Sequence, residues 1–312
     1  MTQAAPRVVL TESAPAKLNL LLAVEPEIVG GKHRLTSVFT TISLTDTLTV
    51  VYDKNEPRAA AIDLRCEPGL EPVALPMEDN IVYRALRAFE RAKGSLLQGS
   101  FAVRLDKRIP AEGGLGGGST DAAAMLRVLT ALFGCEAEVL QQIARSLGAD
   151  VNFFLQSGCA LMGGDGSEFI RSLALPELQL VLVKPEGGVS TAAAYAAFDA
   201  DPQPAPAVAP LEALLQASAA APVEPNTIAQ IAELFTNNLY PAACALKPEL
   251  ADLAANLQEQ PGVLKALLAG SGSVVFGVCA DAATAARVAQ SFTAQGYWAK
   301  AAISGYNGHM TV

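Results

Sequence analysis

The stretch that most constrains this chain is Ile109-Pro110-Ala111-Glu112-Gly113-Gly114-Leu115-Gly116-Gly117-Gly118-Ser119-Thr120-Asp121, in which five of thirteen residues are glycine. Ahead of it, Phe101-Ala102-Val103-Arg104-Leu105 alternates apolar and polar residues like a strand. Behind it, Asp121 to Leu129 is rich in helix formers. A strand, a glycine-rich loop and a helix in that order make a natural anion site. Glycine lets the backbone approach a ligand with no Cβ in the way, and a helix start offers unpaired N–H groups and the positive end of its dipole. Ser119 or Thr120 is placed to cap that start, or to turn a hydroxyl to a phosphate or metal ion. A flexible surface turn is the bland alternative, but turns rarely set four glycines in five residues directly before a helix.

Spacing excludes two better-known phosphate loops. The dinucleotide fingerprint needs Gly at i, i+2 and i+5; here Gly114 and Gly116 are followed by Ser119, and Gly116 and Gly118 by Asp121. The P-loop needs Gly-Lys before Ser or Thr, and no Lys lies between Gly113 and Asp121.

The length of 312 residues makes two domains the first expectation. Apolar residues at 51% and charged residues at 17% suit a soluble protein with a large core. The net charge of −9 and the lack of a basic stripe argue against a nucleic-acid partner. An anionic substrate would then depend on local positive groups, which draws attention to Lys residues near the glycine loop. Five scattered Cys without a Cys-x-x-Cys pair read as reduced thiols in a cytoplasmic protein. No secretory leader and no membrane span is expected. With only His33 and His309, a His-rich metal site is excluded. No Gly-x-Ser-x-Gly elbow appears, which argues against an α/β-hydrolase.

Ala16 to Val24 alternates like a strand, so Ala16, Leu18, Leu20, Leu22 and Val24 are expected to face a core and Lys17 and Asn19 to share the other face. That face either flanks a polar ligand or is simply solvated. Pro26 to Arg34 reads as a loop. Ser37 to Tyr52 reads as two strands or a hairpin turning near Thr45-Asp46. A helix is expected from Asn80 to Gly94, capped by Asp79 or Asn80. Strand 101–105, the glycine loop and its helix to about Leu132 follow, then a helix over Glu136–Leu147. Asp150, alone among apolar residues, has either a partner and a task or a capping role at Val151. Strands are expected at Cys159–Met162, Glu168–Leu173, Gln179–Lys184, Val274–Val278 and Tyr297–Ala302. Helices are expected at Ala192–Phe198, Leu211–Gln216, Thr227–Phe235, Pro248–Gln258, Val263–Leu268 and Ala282–Phe292. The tail from Ser304 shows no pattern.

Three separated segments agree with one another: Pro15-Ala16-Lys17-Leu18-Asn19-Leu20, the glycine loop from Gly113 to Thr120, and Gly270-Ser271-Gly272-Ser273 before a strand. Together they resemble the three motifs of the GHMP kinases, small-molecule kinases named after galactokinase and the homoserine, mevalonate and phosphomevalonate kinases. The opening, Asp79-Asn80-Ile81-Val82, Leu147-Gly148-Ala149-Asp150-Val151 and Val189-Ser190-Thr191-Ala192 are similar to the branch acting on a cytidine-diphosphate-linked branched tetritol in the non-mevalonate route to isoprenoids. The resemblance spans about residues 13 to 300. It implies an α+β fold of two domains: residues 1–172, like domain two of ribosomal protein S5 and binding ATP, and residues 173–312, ferredoxin-like.

By the same resemblance, the reaction is phosphorylation of the 2-hydroxyl with ATP and Mg²⁺. Gly113, Gly114, Leu115, Gly116, Gly117 and Gly118 wrap the phosphates, with Lys107 and Pro110 beside them. Ser119 and Thr120 reach phosphate or Mg²⁺, and Asn80 and Thr191 contact nucleotide or act as helix caps. Asp150 takes the proton of the attacking hydroxyl, Lys17 lies beside it, and Asn19 orients the substrate. His33 and Lys32 meet the cytidine half. Small molecules are the only partners implied, and a monomer or weak homodimer is expected. The chain departs from the pattern where Lys32 stands for the usual Tyr that packs on cytosine, where Asn152 stands for the usual Pro, and between Pro26 and Gly31.

Overall fold

A computed structural model describes residues 7–70, 76–219, 226–306 and 310–311. The first sheet is built on a long hairpin, β1 (Val8–Val29) and β2 (Lys32–Asp53), antiparallel along almost their whole length. Gly30 and Gly31 both have left-handed φ, +63° and +82°, and positive φ at both central positions is what the tight turn favoured between twisted strands demands. The expected loop at Pro26–Arg34 is therefore mostly strand. No turn occurs at Thr45-Asp46. Asp46 is not a turn residue but a fully buried carboxylate accepting hydrogen bonds from the backbone of Arg108 (2.5 Å) and Ile109 (2.9 Å).

β3 (Ala59–Cys66) and β4 (Ser100–Lys107) extend the sheet from β2, and β5 (Cys159–Gly163) pairs with β2 and β6 (Glu168–Ser172). The helices α1 (Ile81–Lys93), α2 (Gly117–Phe133), α3 (Ala137–Leu147) and α4 (Val151–Gln156) belong to this part. The apolar faces of α1 and α2 (Val82, Leu86, Phe89, Met125, Leu129) bury against Leu48, Val50, Phe101 and Val103 of the sheet, the periodicity read from the sequence.

The second sheet has the order β11 (Trp298–Ile303), β7 (Gln179–Lys184), β10 (Val275–Cys279), β9 (Val263–Leu268), antiparallel throughout. With helix α9 (Glu249–Gln258) between β7 and β9 and helix α10 (Ala282–Ala294) between β10 and β11, this is the ferredoxin-like arrangement. Around it lie α5 (Thr191–Ala200), α6 (Ala209–Ala219), α7 (Thr227–Glu233) and α8 (Tyr240–Leu246).

Val263–Leu268, expected as a helix from its Leu, Lys and Ala, is β9. Pairing with β10 overrides that preference. α8 is an addition, begun at Tyr240-Pro241, where the proline fits a first helical turn. The tail supplies β12 (Met310–Thr311), which pairs with β1 at Thr11 and Glu12, and β8 (Thr236–Asn237) pairs with β1 at Leu21 and Leu22. Residue 172 ends β6 in the first sheet and residue 179 begins β7 in the second, yet β8 and β12 cross back. One apolar cluster joins Ala16, Leu18 and Leu20 of β1 to Leu180, Leu182 and Phe276 of the second sheet. Both faces of β1 are consequently covered. Ala14 to Val24 is buried without a break, Lys17 and Asn19 included, so the solvated reading of that face does not hold.

Candidate active site

Three turns converge on Lys17. Its backbone N–H donates to Leu115 O in the glycine loop at 3.0 Å. The glycine loop in turn accepts from the third motif, Ser273 N–H to Glu112 O at 3.0 Å and Val274 N–H to Gly113 O at 3.3 Å. The space between them leaves no room for side chains. A Cβ on Gly114 would stand 1.9 Å from Ala269 O, one on Gly116 2.9 Å from the Phe154 ring and 3.2 Å from Lys17 Cγ, and one on Gly270 3.2 Å from Asn19 Oδ1. Several of these glycines are thus demanded by protein packing. Gly118, whose Cβ would meet only Ile81 at an ordinary 3.8 Å, is the one with room for a Cβ.

The Lys17 side chain is nearly enclosed. Its ammonium donates to Asn19 Oδ1 at 2.7 Å, lies 3.5 Å from Asp150 Oδ2, and sits 4.8 Å from the centre of the Phe39 ring. Asn19 passes the constraint on, donating to Ser37 Oγ at 2.9 Å, and Ser37 donates to Leu21 O at 2.5 Å. A short relay from β1 to β2 therefore aims the ammonium. Asp150 precedes α4 but makes no capping hydrogen bond. Its carboxylate instead faces Lys17, so the capping reading fails. Asn152, in place of the usual Pro, is buried in the first turn of α4 and donates to Ser167 O at 3.0 Å.

α2 begins earlier than expected, inside the glycine run. Its cap is Gly116, in left-handed conformation at φ +71°, rather than Ser119 or Thr120. The N–H groups of Gly117, Gly118 and Ser119 open the helix with no partner inside it. Ser119 lines the groove with Asn80, Lys107, Pro110 and Gly113 to Gly118. Thr120 does not line it. It is fully buried, its Oγ1 has no partner, and its side chain is turned to the core. Its expected contact with phosphate or metal is withdrawn, because the helical turn that presents Ser119 rotates the next residue inward.

Lys107 reaches under the loop but is held there by carboxylates. It donates to Asp46 and, at 2.5 Å, to Asp121. Burial pushes the Asp121 carboxyl above the usual carboxylate range, against the pull of the Lys107 ammonium and with the push of Asp46. Asn80 spends its side chain capping α1 by accepting from Val82 N–H at 2.9 Å. Ser190, not Thr191, caps α5, and Thr191 Oγ1 instead pairs with Ser271 Oγ at 2.9 Å.

At the other end of the groove lie Lys32, His33, Asp165, Tyr195 and Asp199. Lys32 is largely exposed and paired to Asp165 at 2.5 Å. His33 is buried, with Nδ1 2.8 Å from Glu25 O and Nε2 2.9 Å from Asp199 Oδ1. Tyr195 stacks on its ring at 5.5 Å and Phe198 meets it edge-on at 5.6 Å. Sequence reasoning missed Tyr195 and Asp199. The available signal was their spacing of four on α5, one turn after Thr191, which sets both on one helix face.

Lys17, Asn19, Asp150, Ser119, the loop from Gly113 to Gly118, Lys32, His33, Tyr195 and Asp199 line one groove of roughly 1190 Å³, above the range usual for one small ligand. A helix start fit for phosphates lies at one end and an aromatic and charged cluster at the other. Among the described residues no group of three or more His, Cys, Asp or Glu is poised to hold a metal, and no helix is long and apolar enough to cross a membrane.

Comparison with known proteins agrees with this geometry. Residues 80–160 match the model of the GHMP kinase N-terminal domain, and residues 211–297 that of the GHMP kinase C-terminal domain. A 4-diphosphocytidyl-2-C-methyl-D-erythritol kinase of Pelotomaculum thermopropionicum is 39% identical over 91% of this chain and 94% of that protein. One of Parvibaculum lavamentivorans is 36% identical over 95% and 98%. A crystal structure of 4-(cytidine 5'-diphospho)-2C-methyl-D-erythritol kinase superposes with a TM-score of 0.73 at 34% identity, covering 95% of this chain and 99% of that one. A homoserine kinase from Cytophaga hutchinsonii shares the fold, with a TM-score of 0.68 at 15% identity over the whole of both chains. The chain belongs to the GHMP kinases, in the family of the 4-diphosphocytidyl-2-C-methyl-D-erythritol kinases.

Proposed function

We propose that this chain transfers the γ-phosphoryl group of ATP to the 2-hydroxyl of 4-diphosphocytidyl-2-C-methyl-D-erythritol, a step toward isoprenoid precursors. The observation that carries the reading is the Lys17–Asp150 pair, 3.5 Å apart, between the helix start of α2 and the His33 cluster. Phosphoryl transfer demands mainly positioning and charge stabilisation. The N–H groups of Gly117, Gly118 and Ser119 hold the ATP phosphates, with Gly113 to Gly116 fixing the loop. Pro110, Asn80 and Thr191 border the nucleotide, and Lys107 supports the loop from beneath.

Asp150 accepts the proton of the 2-hydroxyl as its oxygen bonds to the γ-phosphorus, and the bond from that phosphorus to the β-phosphate bridge breaks, releasing ADP. Lys17, aimed by Asn19, draws the hydroxyl into line beside the carboxylate. ATP is the phosphate donor. Mg²⁺ would take most of its ligands from phosphate oxygens and water, a demand compatible with this groove, and Ser119, which lines it at the start of α2, would offer a hydroxyl to help hold it. When bound, the ion neutralises phosphate charge. In the distal part, Tyr195 offers a ring for the base and Lys32 a flexible charge for the diphosphate.

The test is a substrate panel. Purified protein with ATP and Mg²⁺ is offered the cytidylyl tetritol, homoserine and mevalonate, and the product is read by phosphorus NMR. A new phosphomonoester on O2 of the tetritol alone is expected. Turnover of homoserine or mevalonate with none of the tetritol contradicts the reading.

A further inference from the structure

One guanidinium touches the three elements that carry the reacting end of the groove. Glu12 sits in β1 between Leu10 and Ala14, whose side chains belong to the first apolar core. A carboxylate buried in such a row is costly unless it is paired. Its partner is Arg127, midway along α2, which donates from Nε to Glu12 Oε1 at 2.5 Å. The rest of the fork reaches elsewhere. Nη1 donates to Phe154 O at 2.6 Å and Nη2 to Ser13 O at 3.4 Å, so one planar group sends hydrogen bonds in three fixed directions. β1 carries Lys17, four residues after Ser13. α2 opens inside the glycine loop, and α4 follows Asp150. None of Arg127, Glu12 and Phe154 lines the groove.

The contact with Phe154 bears on the chemistry. α4 has six residues, and its last carbonyls find no partner within so short a helix. Phe154 O is supplied from outside it, by Arg127 and by Ser157 Oγ at 3.2 Å. Phe154 N–H in turn donates to Asp150 O at 3.3 Å. Two hydrogen bonds in line therefore connect the guanidinium to the Asp150 backbone. The Phe154 ring is held as well, since a Cβ on Gly116 would stand 2.9 Å from it. Asp150 depends on this support. It makes no capping hydrogen bond, so its 3.5 Å contact with Lys17 is set by where α4 lies.

We propose that Arg127 is a positioning residue for phosphoryl transfer. It touches no substrate, and by gripping Phe154 O from α2 it holds Asp150 in line with Lys17 and with the phosphates at the start of that same helix. The pairing with Glu12 neutralises a buried charge; the grip on α4 is the functional part. This rests on the role proposed above for Asp150 and adds the residue that keeps it in place.

The experiment measures kcat and both KM values, with ATP and the cytidylyl tetritol, in Arg127→Lys and in the double variant Glu12→Met with Arg127→Met, beside melting curves. Lysine keeps a charge opposite Glu12 but lacks the fork that reaches Phe154 O as well. The double variant leaves no unpaired charge, and apolar replacement of a buried ion pair is often neutral for stability. Both should melt close to wild type. Their kcat should fall by about 10-fold to 100-fold, since a misplacement of about 1 Å can cost roughly 10²-fold, with both KM values within about twofold of wild type. Arg127→Lys added to Asp150→Asn should slow the reaction no further, because the group it positions is already gone. A purely structural role predicts the reverse, a lowered melting temperature with kcat unchanged. Folded variants with wild-type kcat overturn the proposal, as does a loss that multiplies with that of Asp150→Asn. Failure of the wild type to phosphorylate the tetritol, or normal turnover in Asp150→Asn, removes the reading beneath it and the proposal together. An active wild type, a slow Asp150→Asn and a normal Arg127→Lys remove Arg127 alone.

Discussion

Lys17 shows how much a single residue depends on its surroundings. Alternation placed it beside Asn19 on one face of a strand, and no more than that followed from the local sequence. Its burial comes from the second sheet closing over β1, a fact of tertiary structure that local pattern does not encode. A buried ammonium is costly unless it is paired, and Asn19, Asp150 and the Phe39 ring meet that need. Asp46 is a parallel case that sequence reasoning misassigned to a turn. Its oxygens hold two backbone N–H groups and Lys107, so Asp46→Ala takes one of two carboxylates from a buried cation and leaves two backbone donors unpaired at once. Breaking one partner of a buried pair costs on the order of 3–5 kcal/mol. Denaturant unfolding of Asp46→Ala should show a loss of that size, and a loss within about 0.5 kcal/mol, the usual range for a surface change, would mean the trio contributes nothing to stability.

At the scale of elements, what the sequence revealed best was what local chemistry dictates. α1 runs from its Asn80 cap to its Gly94 stop as read, because amphipathic spacing and both caps agree. Val263–Leu268 was misread because its helix-forming residues are recruited to a sheet by β10, and β8 and β12 are too short to announce themselves. The glycine loop was located correctly but for an incomplete reason. Its glycines clear space for Ala269, Phe154 and Ile109 at least as much as for a ligand. Gly117→Val illustrates the difference. The added carbons would press on Ile109 Cγ2, 3.0 Å from the new Cβ, so the variant should lose thermal stability as well as ATP affinity. Calorimetry with each ligand, beside a melting curve, checks this. Undiminished ATP affinity would show that the loop is not the phosphate cradle.

At the scale of the molecule, the two sheets are joined by a common apolar cluster and by returning strands, and the groove at their junction is lined from both. That explains why the site residues are scattered from Lys17 to Ser271, and why order in the sequence could suggest the family but not the His33, Tyr195 and Asp199 cluster. In the proposed reaction Asp150 takes part in chemistry where the two bound substrates meet. The most direct measurement is single-turnover kinetics of Asp150→Asn with ATP and the cytidylyl tetritol both saturating, alongside separate binding of each ligand. Turnover should fall by roughly 10²-fold or more, the scale of general-base loss, while the melting temperature and both affinities stay close to wild type. Near-normal turnover would contradict the account, and a loss confined to stability would return Asp150 to a purely structural role.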